Sequence, residues 1–163
     1  MTGEADARAE RIVRALTARH VTIAVAESLT GGLLTAAFVA VPGASVVLRG
    51  GVVAYDTAIK HSVLGVDAEV LAAHGPVHPD VAMQMAAGVR TALALDGVES
   101  EIGLSTTGVA GPDAQDGHPP GTAFVGVAVG ATVRSFALQL PGDRNTVRAS
   151  VVQEALRFLE ESL

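Results

Sequence analysis

The run VTIAVAESLTGG, residues 21 to 32, constrains the fold more than any other stretch. Its first half is apolar at almost every position, the pattern of a strand buried inside a sheet. It stops abruptly at Glu27 and Ser28, passes glycines at 31 and 32, and enters a second apolar run, LLTAAFVAV. That run predicts a helix opening near Thr30 and stopping before Pro42-Gly43. Strand, turn and helix in this order form the unit of an α/β domain. A hydroxyl and an acid at the tip of such a strand would stand at the carboxyl edge of the sheet, where α/β folds hold their ligands.

The rest of the chain repeats the alternation. Residues near 4–19 place Ile12, Val13 and Leu16 at helical spacing among charges and predict a surface helix. VVLRGGVVAY predicts a strand ending at Tyr55, with a bulge at Gly50-Gly51, and a short helix through Lys60. DAEVLAAHG predicts a helix with Asp67 as N-cap and Gly75 just past its end. Residues 78–97 predict a longer helix with Pro79 near its start. EIGLSTTG is a strand that enters a Gly/Pro-rich loop, and TAFVGVAVG with ATVRSFALQL forms a hairpin around Gly130-Ala131. A helix capped by Asp143 closes the chain. This order predicts a three-layer α/β/α sandwich with a mixed β-sheet, as one domain over residues 1–163.

Composition narrows the function. Hydrophobic residues make up 49% and charged residues 17%, the profile of a packed globular chain rather than a disordered one. Cysteine is absent, which removes disulfides, thiol nucleophiles and thiolate metal sites. The formal charge of −6, with no basic run and 3% aromatics, disfavours nucleic-acid binding. Every apolar stretch is broken well before the ~18 residues of a membrane span. The first twenty residues lack a signal-peptide core. The expectation is a soluble protein of the cytoplasm with no membrane and no nucleic-acid partner.

Four segments carry residues suited to chemistry. Ser28 is either a nucleophile at the sheet edge or a helix N-cap, and Gly31 and Gly32 allow close approach of a ligand to the backbone. Lys60 is the sole lysine and lies five residues after the sole tyrosine, Tyr55; every other fixed positive charge is arginine. A desolvated lysine can lose its proton near neutral pH and arginine cannot, so the pair suits a base. Ser105, Thr106 and Thr107 end a strand before Gly108, where a glycine-rich loop can offer amides to an anion; an ordinary turn is the alternative. Arg144 and Arg148 lie four apart near a helix N-terminus. The helix dipole disfavours cations there, and either a bound phosphate or Asp143 would offset it. Asp113, Asp116 and His118 match no metal-binding spacing, and no metal or cofactor is expected.

Taken together, AESLTGG, GVVAYDTAIK, TTGVAGPD followed by PGTAFVG, and GDRNTVR resemble the ordered motifs of the C-terminal domain of the competence/damage-inducible CinA proteins. The likeness runs from about Ile12 to Leu159. That family includes nicotinamide-nucleotide amidohydrolases. The resemblance implies hydrolysis of the carboxamide of nicotinamide mononucleotide to nicotinate mononucleotide and ammonia. It implies Ser28 as nucleophile with Tyr55 and Lys60 completing a Ser/Tyr/Lys site, and it links Thr107 and Arg144 to activity and substrate binding. Substrate contacts are expected from Glu27, Thr30, Gly31, Gly32, Thr107, Gly108, Arg144 and, from its spacing, Arg148. Glu27 would either orient the turn of Ser28 or meet ribose hydroxyls. A homo-oligomer, with a dimer favoured, is also implied. The chain departs from the pattern at Thr57-Ala58-Ile59, where many members carry Asn-Glu-Ala, and at Asp113-Ala114-Gln115-Asp116. Both changes bear on substrate preference more than on reaction type. The alternative is a nucleotide-binding or regulatory module that keeps the pocket without turnover.

Overall fold

The computed structural model describes residues 3–163. Five strands form one sheet in the order β2-β1-β3-β4-β5. They are β1 (Ile23–Glu27), β2 (Leu48–Val53), β3 (Ile102–Gly108), β4 (Thr122–Val129) and β5 (Thr132–Gln139). The first three run parallel, and β4 and β5 run antiparallel as the hairpin that the Gly130-Ala131 turn predicts. Six helices accompany them: α1 (Gly3–Arg19), α2 (Leu33–Val39), α3 (Thr57–Ser62), α4 (Ala68–His74), α5 (Pro79–Ala92) and α6 (Arg144–Ser162).

Alternation along β1 separates the layers. Ile23 and Val25 face a core shared with α1, α2 and α6. Ala24 and Ala26 face the opposite core, which holds Val81, Met85 and Val89 of α5. The result is the three-layer α/β/α sandwich with a mixed sheet that the element order implies. The second layer is unusually close. A Cβ at Gly88 of α5 would meet the Leu64 carbonyl oxygen, one at Gly103 of β3 that of Ala86, and one at Gly126 of β4 that of Ala82. Backbone therefore lies against backbone where α5 meets β3 and β4 and where it meets the loop at Leu64, and a methyl group at Gly103 or Gly126 would force helix and sheet apart.

Boundaries differ from expectation where backbone geometry decides them. Helix α2 starts at Leu33 rather than near Thr30, because Gly31 and Gly32 have φ of 58° and 98°, outside the helical region. The irregularity in β2 falls one residue earlier than Gly50-Gly51: Ile23 pairs with Leu48 and Ala24 with Gly50, so Arg49 is the extra residue. Helix α5 stops at Ala92, and residues 95 to 98 close a tight turn through Asp96 and Gly97, both at positive φ.

The topology also places the site. The connection from β1 to β2 carries α2 on one face, and the connection from β2 to β3 carries α5 on the other. The chain leaves β1 and β3 in opposite directions at their carboxyl ends, which opens a crevice there.

Candidate active site

Ser28 lies one residue past β1. Its N–H donates to the Thr106 carbonyl (3.0 Å), so the parallel ladder with β3 carries on to the serine and fixes its backbone. The neighbouring strand β2 runs out through Ala54, Tyr55 and Asp56. Asp56 caps α3, accepting from the Ala58 N–H (2.8 Å), and so anchors the short helix that bears Lys60.

Lys60 turns inward and is 1% exposed. Its Nζ donates to the Ala54 carbonyl (2.7 Å) and to Ser28 Oγ (3.0 Å). Burial pushes the ammonium down to about 8; the charge of Asp56 opposes this only in part. At pH 7 about one lysine in ten would be neutral. A buried amine and a hydroxyl thus touch directly, an arrangement that can serve as base and nucleophile.

Both groups line a cavity of about 350 Å³ at the carboxyl edge of the sheet. Its other walls are Pro76 and Val77 ahead of α5, residues 107 to 115 after β3, and Tyr55 with Arg144 at the rim. The Arg144 guanidinium donates to the Tyr55 hydroxyl (3.0 Å) and to the Gly111 carbonyl (2.8 Å), so α6 bridges two sides of the opening.

The family model for the CinA C-terminal domain matches residues 5–163. The chain belongs to this family. A CinA-like protein of Frankia casuarinae is 45% identical over 99% of the chain, which covers 36% of that protein. A putative competence-damage inducible protein of Geobacillus kaustophilus is 44% identical over 87% of the chain and 33% of its own length. The chain thus spans about a third of the length of these curated relatives. A crystal structure of a CinA superfamily protein from Klebsiella pneumoniae is similar at a TM-score of 0.90 and 32% identity, with 96% of each chain covered. The competence/damage inducible protein of Agrobacterium tumefaciens follows at 0.89 and 29%, over 99% of this chain and 96% of its own.

In this CinA domain the sequence-predicted residues part into two groups. Ser28, Tyr55, Lys60, Thr107, Gly108 and Arg144 all line the one cavity. Thr107 is buried, and its hydroxyl donates to the Pro76 carbonyl (2.6 Å), tying β3 to the opposite wall. Tyr55 is 62% exposed and bonded to Arg144, whereas the contact between Lys60 and Ser28 is direct.

Glu27, Thr30, Gly31, Gly32 and Arg148 lie behind the cavity wall. Glu27 is fully buried, and its carboxylate accepts from the N–H groups of Gly32, Leu34 and Thr35 and from the Thr35 hydroxyl (2.6–3.0 Å). It caps α2 and has no side turned towards a ribose. Thr30 bonds to the Thr106 hydroxyl (2.8 Å). The Gly31 amide donates to the Ser28 carbonyl (3.1 Å) and the Gly32 amide to Glu27, so neither points at a substrate. Arg148 donates to the carbonyls of Leu29 and Thr30. These carbonyl oxygens offset its charge near the start of α6.

Thr57 and Asp113, the two departures tied to substrate preference, line the cavity; the sequence reading missed Pro76 and Val77 in its wall, and the cap Asp56. Asp56 was accessible, since an aspartate just ahead of TAIK is a capping signal. The others carry no local signal, because the crossing of distant loops brings them together. Among the described residues, no group of three His, Cys, Asp or Glu could hold a metal ion, and no helix is long and apolar enough to cross a membrane.

Proposed function

We propose that this domain hydrolyses a small carboxamide, with nicotinamide mononucleotide as substrate and nicotinate mononucleotide and ammonia as products. The observation that carries the reading is the buried contact between Lys60 Nζ and Ser28 Oγ. A serine hydrogen-bonded to a desolvated amine in the wall of a cavity is equipped for acyl transfer.

Neutral Lys60 takes the proton of Ser28 as Oγ bonds to the amide carbon, and the carbonyl oxygen becomes an oxyanion. The tetrahedral species collapses, and the C–N bond breaks as Lys60 returns the proton to the leaving nitrogen, which departs as ammonia. Water then attacks the acyl ester. Lys60 accepts its proton, and Ser28 leaves with that proton restored. The acid product and the starting enzyme result.

The Gly108 amide is suited to the oxyanion. The Val109 N–H donates to Thr122 of β4 (2.8 Å), so by ladder alternation the Gly108 N–H faces the other way, towards the end of β1. Arg144 stands at the rim with an exposed guanidinium suited to the 5′-phosphate, and Tyr55 holds it there. The departures at Thr57 and Asp113 lie in this wall, where they would act on substrate choice.

Ammonia release from nicotinamide mononucleotide, measured with wild type and Ser28→Ala in parallel, tests the reading. Release that falls by about 10³-fold or more in the variant is expected. A folded wild type that binds the nucleotide and releases no ammonia would replace the hydrolase with a nucleotide-binding regulatory module.

A further inference from the structure

We propose that Arg148 is a positioning residue for the reaction: through two peptide planes it fixes the Leu29 N–H beside Ser28 as an oxyanion donor. The inference rests on the amidohydrolase reading above.

Arg148 is half-buried and has no carboxylate partner among the described residues. Its Nε instead donates to the Leu29 carbonyl (2.9 Å) and its Nη2 to the Thr30 carbonyl (2.8 Å), more than a hundred residues away in the chain. A fork laid on two successive carbonyls fixes the orientation of two successive peptides. Gly31 leaves room for it, since a Cβ there would stand 3.3 Å from Nη2.

In a trans peptide the C=O and N–H point in opposite directions. With the Thr30 carbonyl held on Arg148, the N–H of the same peptide, that of Gly31, must point away. It donates to the Ser28 carbonyl (3.1 Å). That bond in turn directs the next N–H in the relay, Leu29, away from the turn. The Leu29 N–H has no acceptor among the described residues, although Leu29 is 4% exposed and, with Ser28, lines the cavity. Buried N–H groups without a partner are rare. One placed directly after a nucleophile, with its orientation enforced from behind, is suited to an oxygen that becomes charged only during reaction.

The test compares wild type, Arg148→Met and Arg148→Lys in steady-state ammonia release from nicotinamide mononucleotide and in inhibition by pyridine-3-boronic acid. The boronic acid forms a tetrahedral anionic adduct with a reactive serine. Arg148→Met should lower kcat about 10- to 100-fold with KM within about twofold, and weaken boronate inhibition by a similar factor. Arg148→Lys, which can hold one carbonyl but not both, should fall between. Should Arg148→Met fail to fold by thermal melting, Arg148→Lys carries the same comparison alone. A folded variant whose kcat stays within about twofold of wild type overturns the inference, as does a kcat loss with boronate affinity unchanged. A wild type that releases no ammonia overturns the hydrolase reading and this inference with it; an active wild type with an indifferent Arg148 overturns the inference alone.

Discussion

Glu27 and Lys60 are both ionisable side chains taken almost wholly out of water, within a few residues of the same sheet edge, and they are treated in opposite ways. Glu27 receives four hydrogen bonds, three from backbone amides at the start of α2 and one from Thr35. Lys60 receives a carbonyl and a hydroxyl, and no carboxylate touches it. A buried carboxylate whose oxygens are taken up by donors becomes part of the architecture. A buried charge left short of compensation is pressed to discharge and becomes a reagent. In this molecule the count of partners, more than burial itself, separates structure from chemistry.

The largest test of that contrast is Lys60→Met, which should lower ammonia release by about 10³-fold or more while the fold stays at least as stable as wild type. The sign follows from the shift. The folded lysine sits at about 8 against an ordinary 10.5, so below pH 8 the fold carries the full cost of a buried ammonium. That cost fades as pH rises from 8 to 10.5, and the variant lacks it at every pH. Urea unfolding at pH 7 and pH 10.5 would show the stability gap between variant and wild type narrowing at the higher pH. A variant less stable than wild type at pH 7 would make Lys60 a structural residue like Glu27.

The reciprocal change, Glu27→Ala, leaves three amides and a hydroxyl without an acceptor and should cost about 3 kcal/mol or more in urea unfolding. Glu27→Gln keeps one acceptor oxygen and should lose less. If either variant kept full stability and lost only turnover, Glu27 would belong with the chemical groups. Next in size is the pH dependence. Initial rates at saturating substrate should rise about 50-fold from pH 6 to pH 8 and level off above, following the neutral fraction of Lys60. A rate flat across that range would remove Lys60 as the base. The smallest effect is expected at Tyr55. Tyr55→Phe deletes only the acceptor for Arg144 at the rim, so kcat/KM should fall about tenfold, mainly through KM. A loss as large as that of Lys60→Met would bring the phenol into the proton path.

The sequence made the strands legible because their apolar runs are short and end in clear breaks, Glu27-Ser28 after β1, Gly130 after β4 and Pro141-Gly142 after β5. It drew Lys60 out as a lone lysine among arginines, and the structure buries that lysine against Ser28. Glu27 was open to two readings, since its partners are amides five to eight residues downstream and amides have no letter in the sequence. The partners of Arg148 are illegible for the same reason: they are carbonyl oxygens of a turn over a hundred residues away. The spacing of Arg144 and Arg148 put both near one helix end but did not say that one would cross the cavity and the other brace its back wall. Pro76 and Val77 became cavity wall only through the crossover from β2 to β3.

The bare contact of α5 with the sheet sets where this protein can change. Gly103 and Gly126 fix that helix against the strands, Gly88 fixes it against the loop at Leu64, and Pro76 and Val77 lead directly into it, so one side of the cavity has almost no freedom to drift. Diversity is then expected to accumulate opposite, in residues 111 to 118 between β3 and β4. Should the proposed activity hold, a search for variants that accept a bulkier amide should randomise that loop and leave the glycines alone. A lineage exploring new substrates would be expected to show the same asymmetry: one wall frozen by contact, the other written and rewritten.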